Sequence, residues 1–334
     1  MDKILSLCLP SYNMEKYLNR CVDSLVNTNV LDLLEIIIVN DGSKDNTLKI
    51  AKDYEKRYPQ SVVVIDKQNG HYGSCINASL KIATGKYFRV LDSDDWLDSN
   101  ALNVALNSLS KINTDVYFSK CMVHDYSQNK QIPRIYKDIE YNKVLDLNKF
   151  QIPECMLSMH SLTYRTKLLR DIYYKQTEGI CYTDTEYVCY PMCKARTLYA
   201  EDLYLYQYYV GRDDQSMSFD SIEKNLHHLY PLIERFTKDE SYKDGNKNAR
   251  YIHDHFVTVS STQLFLFSII FCKKNKERDL RNRKFLNDIK QSSVESYDTI
   301  MNIKAKGIIP YVKIWYKYPM LAKILILGRP FYKF

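Results

Sequence analysis

The chain has 334 residues, 45% hydrophobic and 26% charged, which is ordinary for a globular protein of one large domain or two modest ones. Nine cysteines lack paired short spacing; Cys181, Cys189 and Cys193 are the closest group, and their spacing excludes a zinc pattern, so buried, reduced thiols in an intracellular protein are expected. Residues 241–334 hold 18 basic and 7 acidic side chains against 29 and 33 in the remainder, which implies an anionic partner for the tail; no nucleic-acid motif accompanies the charge, so nucleic acid is not that partner.

Only Met1, Asp2 and Lys3 precede the first apolar run, residues 4–9, so no leader peptide is expected. That run ends at Pro10, and an amphipathic stretch follows over 14–26. Residues 35–39, nearly all Ile and Val, suit a strand buried on both faces. The run stops at Asn40-Asp41-Gly42-Ser43, and Ser43 or Asp45 can cap a helix reaching Arg57. A third strand covers 62–65, a helix 74–83, and a fourth strand 87–91. Helix follows over 97–109 and strand over 116–122. This alternation implies an α/β fold with a mostly parallel sheet between helices. From 126 to 218 the pattern is mixed, with a helix opened by Thr183-Asp184-Thr185-Glu186 and an aromatic strand over 203–210. Beyond 219 the chain reads as helices. The most apolar stretch, 256–272, carries Thr258, Ser260, Ser261, Thr262 and Gln263 and reads as a core helix rather than a membrane span.

Ligands of such sheets sit beyond the carboxyl ends of the strands. Three of those ends are polar: Pro10-Ser11-Tyr12-Asn13, Asn40-Asp41-Gly42-Ser43 and Asp92-Ser93-Asp94-Asp95. If the strands are neighbours, all three converge on one crevice. Three carboxylates at the mouth of a buried strand are costly without a positive partner, and Mg²⁺ or Mn²⁺ carrying a diphosphate would serve. The competing reading makes Asp94 or Asp95 a helix cap. Tyr12 offers a face for a nucleobase, and Asp41 can accept from a ring N–H such as that of uracil. Asp92 and Asp94 can reach ribose hydroxyls and the metal.

These pieces, taken in order with Asn69-Gly70, Asn77 and Gly85-Lys86-Tyr87, resemble the family-2 inverting glycosyltransferases of bacterial polysaccharide synthesis. The resemblance covers the first 218 residues or so. It implies a GT-A (Rossmann-like) fold followed by a helical C-terminal region. Residues 1–125 would bind the nucleotide sugar, 126–218 would bind the acceptor and carry the base, and 219–334 would form the basic helical region. It implies nucleotide-sugar binding by Pro10, Tyr12, Asp41 and Asp92, and metal binding by Asp94 with Asp92. Glycines around His71 allow close backbone approach to a ligand, which would bring His71 to the base or diphosphate. The family's general base lies in a Glu-Asp pair at a helix start. Here Thr183-Asp184 stands in that position, so Asp184 is the expected base and Glu186 its alternative. Arg212 is the candidate phosphate contact, because Arg forks onto phosphate bidentately.

The implied reaction moves a sugar from a nucleoside-diphosphate donor, a UDP-sugar by the Asp41 argument, to a saccharide or lipid-linked saccharide in capsule, exopolysaccharide or wall-polymer synthesis. Residues 311–334 mix Tyr, Trp, Lys and aliphatics, as a headgroup-level membrane contact does. The enzyme would then be cytoplasmic, peripheral at the inner face of the membrane. A helix packed in its own domain, or a homo-oligomer, is the competing use of that tail. Rival functions are a nucleotidyltransferase, disfavoured because Tyr12-Asn13-Met14-Glu15 is not a phosphate loop, and a non-catalytic sugar- or nucleotide-binding partner protein.

Overall fold

The computed structural model describes residues 2–211, 219–272, 275–305, 307–319 and 321. It divides into two compact units, Met1–Asp213 with Asp244–Ala249, and Asp214–Lys243 with Arg250–Phe334.

The first unit alternates β1 (Leu5–Ser11), α1 (Leu18–Val26), β2 (Leu34–Asp41), α2 (Thr47–Arg57), β3 (Val62–Lys67), α3 (His71–Ile82) and β4 (Tyr87–Val90). It continues through β5 (Trp96–Leu97), α4 (Ser99–Lys111), β6 (Val116–Asp125), β7 (Lys130–Pro133), β8 (Val144–Asp146) and β9 (Leu162–Arg165). Helices α5 (Thr166–Asp171) and α6 (Asp184–Lys194) lead into β10 (Thr197–Val210). The sheet order is β3-β2-β1-β4-β9-β6-β10-β5, with β7 on β6 and β8 on β10. Strands β3, β2, β1 and β4 are mutually parallel. Strand β9 runs antiparallel to both β4 and β6, and β10 is parallel to β6. Two reversals across β9 restore direction, so β6 and β10 point their carboxyl ends to the same edge as β1, β2 and β4.

Local sequence accounts for most of this. Strand β2 is buried along its whole length, as its Ile-rich run requires. In α1, Leu18, Cys21, Val22, Leu25 and Val26 fall on one helical face and are buried. They join Leu7, Leu9, Ile36, Ile38, Leu102 and Leu106 in the main core, where each leucine or isoleucine contributes about 1.5–3 kcal/mol by leaving water. Seven of the nine cysteines are buried and all are free.

Three local expectations change. The helix after the fourth strand is capped by Asp98, whose carboxylate accepts from Ala101 N at 2.8 Å, and not by Asp94 or Asp95. The third helix begins at His71, three residues early, with His71 itself at φ 61°. The glycine-rich turn serves the protein's own backbone: a Cβ on Gly73 would meet the Thr177 carbonyl oxygen at 2.0 Å.

The described part of the second unit is helical: α7 (Phe219–Asn225), α8 (Leu229–Lys238), α9 (Ala249–Leu266), α10 (Lys276–Ser292), α11 (Val294–Met301) and α12 (Tyr311–Lys317). Helix α9 runs into a π-helical turn at Phe267–Phe271. Together, Ala249–Phe271 is long and apolar enough to cross a bilayer by length and composition, though 56% of its most apolar window is buried inside the protein. The membrane-facing reading of the tail fails for its first aromatics. Tyr311, Val312 and Trp315 are buried, with the Trp315 ring 6.3 Å from Phe265 and 4.9 Å from the Arg283 guanidinium. Their helix spends its apolar face on its own unit. Residues 322–334 lie outside those described.

Candidate active site

The three polar strand ends meet. Strands β2, β1 and β4 are adjacent, and side chains stitch their ends together. Ser93 Oγ donates to the Pro10 carbonyl at 2.8 Å and lies 2.6 Å from Ser11 Oγ. Asn13, in the left-handed region at φ 56°, takes a hydrogen bond from Lys44 N at 2.8 Å, and its own N–H donates to Ser43 Oγ at 3.0 Å. Tyr12 is 46% exposed at the crevice. Asp41 is buried; its Oδ1 accepts from Lys67 Nζ at 2.6 Å and Gly70 N at 2.9 Å. This ties the β2 end to the turn that opens α3. His71 lies at that turn, half-buried, with Nδ1 3.6 Å from Cys181 Sγ.

The acids beyond β4 differ in surroundings. Asp92 is partly open to solvent, and its Oδ1 accepts from the Tyr72 hydroxyl at 2.7 Å. Burial first, then the charges of Asp94 and Asp184, push its carboxyl up to about 7; the Tyr72 hydrogen bond opposes them. Asp95 is fully buried and accepts from the Tyr206 hydroxyl and from Tyr209 N, both at 2.7 Å. Burial and the neighbouring carboxylates raise it well above the ordinary range. Asp94 is half-buried, and its backbone carbonyl accepts from Arg20 Nη2 at 2.6 Å.

His160 completes the cluster. One ligand atom each from Asp92, Asp95 and His160 lie within 4.8 Å of one another. Burial and the Arg134 and Arg89 guanidiniums hold the imidazole well below its usual value, hence neutral. Carboxylates crowded enough to push one another up, beside a neutral imidazole, form a donor set that suits Mn²⁺ as well as Mg²⁺. The fully buried Arg89 helps hold this strand-to-strand corner, donating to Thr163 Oγ1 at 2.8 Å and to the His160 carbonyl.

Asp184 is the first residue of α6, behind Thr183 at the N-cap position. Burial raises its carboxyl, and the backbone N–H groups of Asp184 and Thr185 oppose that rise. Its charge helps to raise both Asp92 and Tyr72. Glu186 is fully buried, and its two oxygens accept from Thr177 N at 2.7 Å and Thr177 Oγ1 at 2.8 Å. Gln176 Nε2 donates to the Thr183 carbonyl at 2.6 Å, which fixes the start of α6. Tyr182, two residues before Asp184, has φ 67°, and His71 is likewise strained. Such strain clusters at functional sites. Arg212 lies outside the described residues.

Sequence reasoning missed His160, Tyr72 and Arg89. His160 follows Ser158-Met159 in a short 3₁₀ turn without periodicity, and only the antiparallel insertion of β9 carries it to the β4 end. Tyr72 had one available signal, its adjacency to His71.

A family model described as glycosyl transferase family 2 matches residues 6–172. Chondroitin synthase of Pasteurella multocida (strain Pm70) is 40% identical over 111 residues, 33% of this chain and 11% of that protein. Poly(ribitol-phosphate) beta-glucosyltransferase of Bacillus spizizenii is 31% identical over 220 residues, 64% of this chain and 33% of that protein. The chain thus spans a third or less of the length of these relatives. Among solved structures, S. aureus TarS 1-349 in complex with UDP-GlcNAc aligns over 98% of this chain and 93% of its own, with TM-score 0.69 and 20% identity. The mannosyltransferase PcManGT from Pyrobaculum calidifontis, in complex with GDP-Man and Mn²⁺, covers 95% of this chain and 88% of its own, with TM-score 0.52 and 12% identity. The fold is that of these glycosyltransferases, GT-A, with a helical C-terminal region. The chain belongs to glycosyl transferase family 2.

Proposed function

We propose that this family-2 chain transfers a sugar, with inversion, from a UDP-sugar to a hydroxyl of a saccharide or lipid-linked saccharide during bacterial polymer assembly. The observation that carries this reading is the convergence of the β1, β2 and β4 ends, with Asp92 held by Tyr72 and grouped with Asp95 and His160 at that edge. The chondroitin synthase and glucosyltransferase relatives support the polymer setting.

Tyr12 stacks on the base, and Asp41, anchored by Lys67 and Gly70, accepts from the uracil N3–H. Pro10 lines the same wall, and His71 borders the diphosphate. Asp184 takes the proton of the acceptor hydroxyl as its oxygen bonds to the anomeric carbon. The bond from that carbon to the diphosphate breaks, and its electron pair leaves on the phosphate oxygen. A carboxylate raised by its surroundings holds a proton more readily than an ordinary aspartate, which suits it to take one from the acceptor. Glu186, already braced on Thr177, serves the loop and not the chemistry. Asp92, Asp95 and His160, whose ligand atoms lie within 4.8 Å of one another, would hold Mg²⁺ or Mn²⁺ with Asp94 as a further ligand, and the ion would supply positive charge where the diphosphate leaves. Any contact with an anionic membrane surface would use the exposed Lys313 and Lys317 of α12 rather than its buried aromatics.

The test is a thermal-shift screen of nucleotide sugars with and without Mn²⁺, on wild type and Asp94→Ala. A ligand of the native state raises its melting temperature. A metal-dependent shift with one UDP-sugar, lost in Asp94→Ala, is expected. No shift with any nucleotide sugar would remove the donor site. Donor binding without turnover, unaffected by Asp184→Asn, would leave a non-catalytic binding protein.

A further inference from the structure

We propose that the open ring of Tyr126, held in place by Tyr209 and Trp96, forms a stacking subsite for a pyranose ring of the acceptor, across the Asp92–Asp95 loop from the nucleotide. The inference rests on the transferase reading above and adds where the acceptor lies.

The sheet order carries the first part. The base-binding ends of β1 and β2 lie on one side of β4, and the carboxyl ends of β6 and β10 lie on the other, at the same edge. A donor that runs from Tyr12 and Asp41 to Asp92 therefore points its sugar towards β6 and β10. The rings stand at those ends. Tyr126 directly follows β6, and its N–H donates to the Val210 carbonyl at 2.8 Å. Trp96 lies two residues beyond Asp94, and Tyr209 N holds Asp95 Oδ1.

The rings are fixed as a platform. The Arg20 guanidinium sits 4.2 Å from the centroids of both Trp96 and Tyr209 while donating to the Asp94 carbonyl. His124 backs Trp96 at 4.5 Å and is held by Gln207 Oε1 at 2.8 Å. Tyr126 packs edge-on against Tyr209 at 5.8 Å yet stays 66% exposed. What sets Tyr126 apart from other exposed tyrosines such as Tyr173 is its place, directly after β6 at the ligand edge of the sheet and against Tyr209. Its negative π face complements the weakly positive C–H bonds on the flat side of a pyranose, at small entropic cost because the rings are already ordered.

The test is binding of the full chain, with UDP and Mn²⁺, to an array of defined pyranose oligosaccharides. Wild type is expected to bind at least one class. Tyr126→Ala and Tyr126→Leu should lose at least tenfold in affinity, whereas Tyr126→Phe, which keeps the π face, should retain it. All three should keep the wild-type melting temperature and donor-induced shift. No bound glycan, or a Tyr126→Leu protein that binds like wild type, would overturn the subsite. Glycan binding through Tyr126 in a protein that no UDP-sugar stabilises would keep the subsite and remove the donor reading.

Discussion

Replacing Gly73 by alanine tests how the candidate base is positioned. The new Cβ would lie 2.0 Å from the Thr177 carbonyl oxygen, whereas real Cβ atoms stay beyond 3.0 Å, so one backbone must yield by about 1 Å. Overpacking of this kind costs about 1–3 kcal/mol, and about 2–4 °C of melting temperature per kcal/mol is expected for a unit of this size. Thr177 is tied to Glu186, and Gln176 to Thr183, so the displacement reaches the first turn of α6 and Asp184. A misplacement near 1 Å at a reacting group lowers turnover by about 100-fold. The assay is UDP release from the donor selected by the thermal-shift screen, with the donor-induced shift measured in parallel. Turnover should fall about 100-fold, and the donor shift should fall less, because Tyr12 and Asp41 stand at the ends of β1 and β2 and feel the change only through the turn that opens α3. Turnover within threefold of wild type would refute the claim that the 176–186 brace sets the position of Asp184.

Asp184→Asn should lower turnover by about 10²–10⁴-fold without weakening the donor shift. Because burial raises Asp184, the acid limb of the rate profile should lie above the ordinary carboxylate value, with rate rising as pH rises through it; an acid limb at that ordinary value would remove Asp184 as base. Asp92, pushed up to about 7, binds a proton that a metal must displace, so Mn²⁺ affinity measured by calorimetry should weaken about tenfold per pH unit below 7. In metal-free protein the same group is protonated more readily folded than unfolded. Stability should therefore rise as pH falls from about 7 towards 4, and Asp92→Asn should flatten that slope in urea titrations. Asp98→Ala removes a helix cap and should cost about 1 kcal/mol in denaturation with donor binding unchanged.

Much of the site was legible in the sequence because it is local. Apolar runs such as Glu35-Ile36-Ile37-Ile38-Val39 mark the strands, and each polar tetrad sits immediately after one. Parallel βαβ connections then bring those tetrads to one edge without further information. What a carboxylate does at that edge is not local. Asp94 and Asp95 are adjacent and chemically identical, yet Asp95 turns inward because β10 supplies Tyr206 and Tyr209 to receive it. His160 enters only through an antiparallel strand inserted between β4 and β6, and Gly73 proves to be required by Thr177, over a hundred residues on. Likewise Trp315 carries a membrane-like pattern but is spent on its own unit, because an amphipathic stretch specifies that one face is covered and not by what. Period and order along the chain determined the strands and the converged motifs. Only long-range pairing decided which side chains meet at that edge and which turn inward, since that depends on partners the local sequence does not contain.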